Sequence, residues 1–159
     1  MTTRILVVDD QPANVELLKA YLVGIADDIL GVTESRTVEQ LFIDFQPDLL
    51  LLDLHMPAPD GLEILRRLRG VRSRLGFVPV IVLTAETGKA ARNTALILGA
   101  DDFMTKPLDR HEVILRVRNH LRTRQLFKEL TRATGSFPRL NFGNDSQAAK
   151  PTLLMEGEA

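Results

Sequence analysis

The sequence predicts an α/β fold: a five-stranded parallel sheet with helices on both faces. Three observations carry this. Short apolar runs alternate along the chain with stretches of helical period. The central runs are apolar at every position, as strands buried on both faces must be. Aromatic residues make up only 5% of the chain and Trp is absent, so the core must come from Leu, Ile, Val and Ala.

Ile5-Leu6-Val7-Val8 is a short β-rich run ending in acid, and reads as the first buried strand. Residues 12–23 read as a helix. Pro12 suits its first turn, where the missing N–H costs nothing, and Val15, Leu18 and Leu22 recur at helical spacing. The second strand falls within 29–33. The next helix carries Val38, Leu41, Phe42 and Phe45 on one face and ends at Pro47-Asp48. Leu49 to Leu52 form a central strand. Two prolines and a glycine make 56–61 a loop, and Leu62, Leu65 and Leu68 mark the third helix. Residues 78–83 form the fourth strand, ending at Thr84. Residues 88–98 are an Ala-rich helix and 102–105 a short fifth strand. A last helix starts near Asp109 and runs to about Leu130.

Five βα units with right-handed crossovers leave few topologies. The flavodoxin-like three-layer (βα)5 order, 2-1-3-4-5, is the common one, and it gathers ligands at the carboxyl ends of strands 1 and 3. We expect one domain over 1–122. Residues 123–134 extend the last helix or form a linker, and 135–159, with no apolar period, read as a disordered tail. Net charge is −1, so no global field points to nucleic acid or a membrane surface. Cys is absent, which excludes disulfides and thiol catalysis. The start lacks signal-peptide architecture, and no apolar run approaches the ~20 residues that span a bilayer. A cytoplasmic location is the expectation, with no membrane partner.

The chemistry lies in what ends each strand. Strand 1 ends in Asp9-Asp10, strand 3 in Asp53, strand 4 in Thr84 and strand 5 in Lys106-Pro107. In a parallel sheet these ends share one edge. Clustered carboxylates repel one another unless a cation sits among them. A hard divalent ion such as Mg²⁺, with Mn²⁺ as alternative, suits oxygen ligands and keeps several waters. A carboxylate beside a metal and a lysine can attack a phosphoryl group while both cations stabilise the transferring oxygens. Taken singly, each residue also has a plainer reading. Asp9-Asp10 is a polar strand end, Asp53 and Thr84 are caps, Lys106 is a surface lysine and Phe103 a half-buried aromatic.

The ordered set is similar to the receiver domain of bacterial two-component response regulators. The matching stretches are Ile5 to Asp10, Leu51-Leu52-Asp53-Leu54-His55-Met56-Pro57, Asp60-Gly61, Val80 to Ala85, and Lys106-Pro107, over roughly 4–122. The resemblance implies a phosphorelay protein. Asp53 would accept a phosphoryl group from a histidine kinase or phosphotransfer protein. Asp9, Asp10, Asp53 and the His55 backbone carbonyl would hold Mg²⁺. Thr84 and Lys106 would bind the phosphoryl group, and Phe103 would be the switch aromatic that moves with Thr84. His55 and Glu86 would tune dephosphorylation. It also implies a signalling domain rather than a conventional enzyme, and a homodimer through the helix 4–strand 5–helix 5 face. Pro59 departs from the family, which commonly has Met there, but removes no ligand.

Two other classes are weighed against this one. An aspartate-nucleophile phosphatase usually carries a second Asp two residues after the nucleophile, where this chain has His55. A phosphorylation-independent interaction module would not need the full residue set. Residues 110–132 hold seven basic side chains: Arg110, Arg116, Arg118, Arg122, Arg124, Lys128 and Arg132. No second reading helix follows, so direct nucleic-acid binding is not expected. A solvated helix face, or pairing with Asp101 and Asp102 across a dimer, are the readings of these charges.

Overall fold

In the computed structural model the described residues are 2–85 and 89–136. Glu86 lies outside them, as do residues 137–159 of the disordered tail expected over 135–159. The elements run β1 (Arg4–Val8), α1 (Pro12–Tyr21), β2 (Asp28–Val32), a 3-10 turn (Ser35–Thr37), α2 (Val38–Phe45), β3 (Leu49–Asp53), α3 (Gly61–Leu75), β4 (Val80–Thr84), α4 (Lys89–Ile97), β5 (Asp102–Thr105) and α5 (Arg110–Thr134). All strand pairs are parallel, in the order β2-β1-β3-β4-β5.

Side chains alternate across each strand and so divide the core in two. Leu6, Val8, Leu50, Leu52 and Val82 face α2 and α3, meeting Val38, Phe42, Leu65 and Leu68. Ile5, Val7, Leu49, Leu51 and Ile81 face the other way, meeting Val15 and Leu18 of α1 and Val113 and Val117 of α5. Every residue of β3 is buried, which places it centrally.

Gly61 fixes how closely α3 approaches the end of β3. A Cβ there would overlap the Asp53 carbonyl oxygen and stand 2.6 Å from Leu54 Cα. The Gly61 amide donates to the Leu54 carbonyl, and Asp60 caps the helix by accepting from Glu63 N at 2.9 Å. The Ala58–Pro59 bond is cis.

Helix α5 continues past 130 to Thr134, where Gly135 closes it in a left-handed conformation. Its second half is docked rather than free. Phe127 is buried against Phe77, ring centroids 6.0 Å apart. Arg124 donates to the Phe77 carbonyl at 2.8 Å and pairs with Asp48, as does Lys128. Asp48, at the start of β3, is 5% exposed and also accepts from the Arg4 amide at 2.9 Å.

These contacts correct the reading of the basic stretch as one solvated face. Arg124 and Lys128 neutralise a buried acid that the sequence pattern had treated as a helix stop. Asp102 is held within the chain by Arg116 at 2.8 Å and His120 at 3.0 Å, and Asp101 by Arg72 at 2.8 Å.

Candidate functional site

The carboxyl ends of β1, β3 and β5 meet at one point. One carboxylate oxygen each from Asp9, Asp10 and Asp53 lie within 4.8 Å of one another. Asp9 is fully buried and Asp53 is 3% exposed. Each is held by a backbone amide two residues on. Gln11 N donates to Asp9 Oδ1 at 3.0 Å, and His55 N donates to Asp53 Oδ1 at 3.2 Å. The outer oxygens of both therefore face Lys106, whose Nζ lies 2.8 Å from Asp9 Oδ2 and 3.4 Å from Asp53 Oδ2. The lysine is placed by its own backbone: its amide donates to the Thr84 carbonyl at 2.8 Å, so β4 sets the height of the residue after β5. Its bond to Pro107 is cis.

Burial, and then the charge of Asp9, push the Asp53 carboxyl above its ordinary value; the His55 amide and Lys106 only partly offset them. Burial works against the Lys106 ammonium, but the bond to Asp9 and the charges of Asp53 and Asp9 outweigh it and raise its pKa. Two acids and one lysine leave the cluster short of positive charge, before Asp10 is counted.

That shortage suits a divalent cation. Ligand oxygens ~2.1 Å from Mg²⁺ lie about 3 to 4 Å from each other around an octahedron, close to the spread of the three carboxylates here. All three donors are hard oxygens, as Mg²⁺ prefers.

Thr84 is buried beside this cluster, with Oγ1 3.4 Å from His55 Nε2. The exposed His55 ring thus lies over the threonine, a contact between the loop after β3 and the end of β4 that nothing in the sequence signals. Phe103 stands apart from the acids. It is half-buried against the α2–α3 side of the core, and Arg92 of α4 stacks its guanidinium carbon 3.9 Å from the ring centroid. Cation–π contacts between a helix and a neighbouring strand have no spacing rule, so Arg92 was not legible either.

A doubly wound five-stranded sheet with acids, a threonine and a lysine along its carboxyl edge defines the receiver class of signalling domain. The chain belongs to the response regulator receiver domain family, whose model matches residues 5–118. It is 36% identical over 140 residues to the response regulator PleD of Caulobacter vibrioides, covering 88% of this chain and 31% of PleD. It is 40% identical over 119 residues to the transcriptional regulatory protein TrcR of Mycobacterium tuberculosis, covering 75% of this chain and 45% of TrcR. The chain thus spans less than half the length of these curated relatives. Among solved structures, it resembles the BeF3-activated N-terminal receiver domain of Klebsiella pneumoniae RstA, with 30% identity and a TM-score of 0.69 over 76% of this chain and 99% of that one. It also resembles the receiver domain of Francisella response regulator 1452, with 26% identity and a TM-score of 0.68 over 76% and 98%. The fold and the family are those the sequence predicted. The protein is a two-component signalling domain with bacterial relatives, and no helix among the described residues is long and apolar enough to cross a membrane.

Proposed function

We propose that Asp53 is the phosphoacceptor, and that Asp9, Asp10, Asp53 and the His55 backbone carbonyl hold Mg²⁺ or Mn²⁺. The observation that carries this is Lys106 Nζ lying between Asp9 and Asp53, with Asp10 completing the acid cluster. When bound, the metal supplies positive charge to the carboxylates and to the transferring oxygens.

The donor is a phosphohistidine on a partner histidine kinase or phosphotransfer protein. An Asp53 oxygen attacks phosphorus; the new O–P bond forms as the N–P bond breaks, and the electron pair leaves with the imidazole. The His55 amide holds the other Asp53 oxygen, which fixes the direction of attack. Lys106 moves its ammonium from Asp53 onto the phosphoryl group. The Thr84 hydroxyl turns to donate to a phosphoryl oxygen, which requires it to leave His55 Nε2. Phe103 follows inward into the space that Thr84 vacates. The phosphoryl group favours one of two existing states of the helix 4–strand 5–helix 5 face, which is also the homodimer surface. His55 and Glu86 tune hydrolysis of the acyl phosphate.

On this reading the chain catalyses only its own phosphorylation and dephosphorylation, in the cytoplasm. The domain's last helix continues over 123–134, where Phe127, Arg124 and Lys128 dock it on the fold, so the domain runs past the boundary expected at 122. The support for Asp53 over the neighbouring acids is its place at the carboxyl end of the central strand β3, where the family resemblance puts the phosphoacceptor.

The experiment is phosphorylation by acetyl phosphate. With Mg²⁺ present, a slower band should appear on a phosphate-affinity gel. The band should be absent with EDTA and absent in Asp53→Asn. A band that survives Asp53→Asn at wild-type intensity would overturn the assignment.

A further inference from the structure

At the opposite edge of the sheet, about 350 Å³ of concave surface lies between the N-terminal strand, the turn after α1 and one face of α5. Four cations line it, Arg118, Arg122, Arg124 and Lys128, against one acid, Asp48. Asp48 is already committed: Arg124 and Lys128 both pair with it, and it accepts from the Arg4 amide. Among the described residues Arg118 and Arg122 have no acidic partner. They are one turn apart on α5, so their guanidinium groups stand on the same side of the helix. On the floor, Arg124 and Lys128 share the single carboxylate of Asp48, so positive charge is in excess there as well as at the rim. Ile25 and Leu121 give it an apolar wall, and Thr3 and Gln125 add polar groups. A concavity of this size falls within the range of small-molecule pockets. None of these residues takes part in the phosphoacceptor chemistry.

We infer that this concavity between the turn after α1 and the Arg118–Arg122 face of α5 is a binding site for a small phosphate-bearing anion. The unpaired arginines would clamp phosphate oxygens through charge-assisted hydrogen bonds, for which the planar guanidinium is suited. The apolar wall would take whatever organic part the anion carries. The site spans 118–128 of α5, on the helix whose other half packs behind the phosphoacceptor edge, so occupancy would stiffen α5 against the sheet.

Inorganic pyrophosphate is the probe, titrated with EDTA present into ¹⁵N-labelled protein. Expected is a saturable shift of the Thr3, Gly24, Ile25 and Gln125 amides. It should persist in Asp53→Asn and weaken by about tenfold or more in Arg118→Ala/Arg122→Ala, two exposed positions whose truncation leaves the core intact. Shifts confined to residues 9, 53 and 106 would overturn the inference, as would an affinity unchanged in the double variant or the lack of any saturable shift. A glutamate-rich peptide shifting the same amides where pyrophosphate does not would also overturn it, in favour of an acidic protein partner.

Discussion

Lys106 Nζ sits closer to Asp9 Oδ2, at 2.8 Å, than to any oxygen of the acid it is proposed to serve. In the resting arrangement the lysine is held by the buried acid of β1, 97 residues away in sequence. It therefore holds the outer oxygen of Asp9 in place while remaining within one short movement of Asp53. Replacing Lys106 by Met leaves Asp9 and Asp53 facing each other with no cation. Phosphorylation by acetyl phosphate should slow by about 10²-fold, the usual cost of losing one preorganised charge donor. Stopped assays on a phosphate-affinity gel measure this, and a rate within a few-fold of wild type would show that the lysine is merely structural.

Asp10 is the least buried of the three acids and, unlike Asp9 and Asp53, forms no ion pair with Lys106, so metal binding is its clearest task. Asp10→Asn should weaken Mg²⁺ binding by calorimetry at least tenfold, at little cost to folding stability. Equal affinity in the variant would remove Asp10 from the ligand set.

Gly61 is required by the close approach of α3 to β3. Gly61→Ala pushes a methyl into the Asp53 carbonyl, and neither strand nor helix can retreat without opening the core. A loss of about 1–3 kcal/mol in urea unfolding is expected, as for other overpacked sites. Since the strain falls on Asp53 itself, phosphorylation should slow as well.

The Asp102 carboxylate links β5 to α5. Burial works against its charge, but bonds from His120, the Phe103 amide and Arg116 outweigh it and hold its pKa below the usual carboxylate range. A depressed folded pKa means the unfolded chain takes up the proton first. The stabilisation is complete above the unfolded value of about 3.9 and is lost as pH falls through the lower folded value. Asp102→Asn should therefore lower stability at about pH 6 and flatten the acid limb below about pH 4. Urea midpoints across that range test the sign, and an acid limb of unchanged steepness would contradict it.

Phe127 and Arg124 make the second half of α5 part of the fold. Phe127→Ala should cost about 3 kcal/mol, a typical loss for a buried phenylalanine. A chain ending at residue 122 would leave Phe77 uncovered and Asp48 without either cation. It should melt well below one ending at residue 136. Equal melting temperatures would restore the shorter boundary.

Much of this was legible in the sequence. The strands of the centre were plain because they are apolar at every position, and they carried the topology and the edge on which Asp9, Asp10, Asp53 and Lys106 meet. The first helix ends at Tyr21, two residues earlier than its apolar spacing suggests, because apolar period does not mark where a backbone turns. The role of Asp48 was hidden since its partners lie 76 and 80 residues further on, in a helix whose basic residues look solvated by pattern alone. Arg92 over Phe103 and His55 over Thr84 were hidden for the same reason: both are contacts between elements, and no local spacing encodes them.

The central claim is that the phosphoryl group rests on Asp53. Phosphorylating the protein with acetyl phosphate and Mg²⁺, reducing the acyl phosphate with borohydride and mapping the peptides reads its position directly. Conversion of Asp53 alone to homoserine is the predicted result. Reduction at Asp9 or Asp10, or none anywhere while the protein carries phosphate, would contradict it.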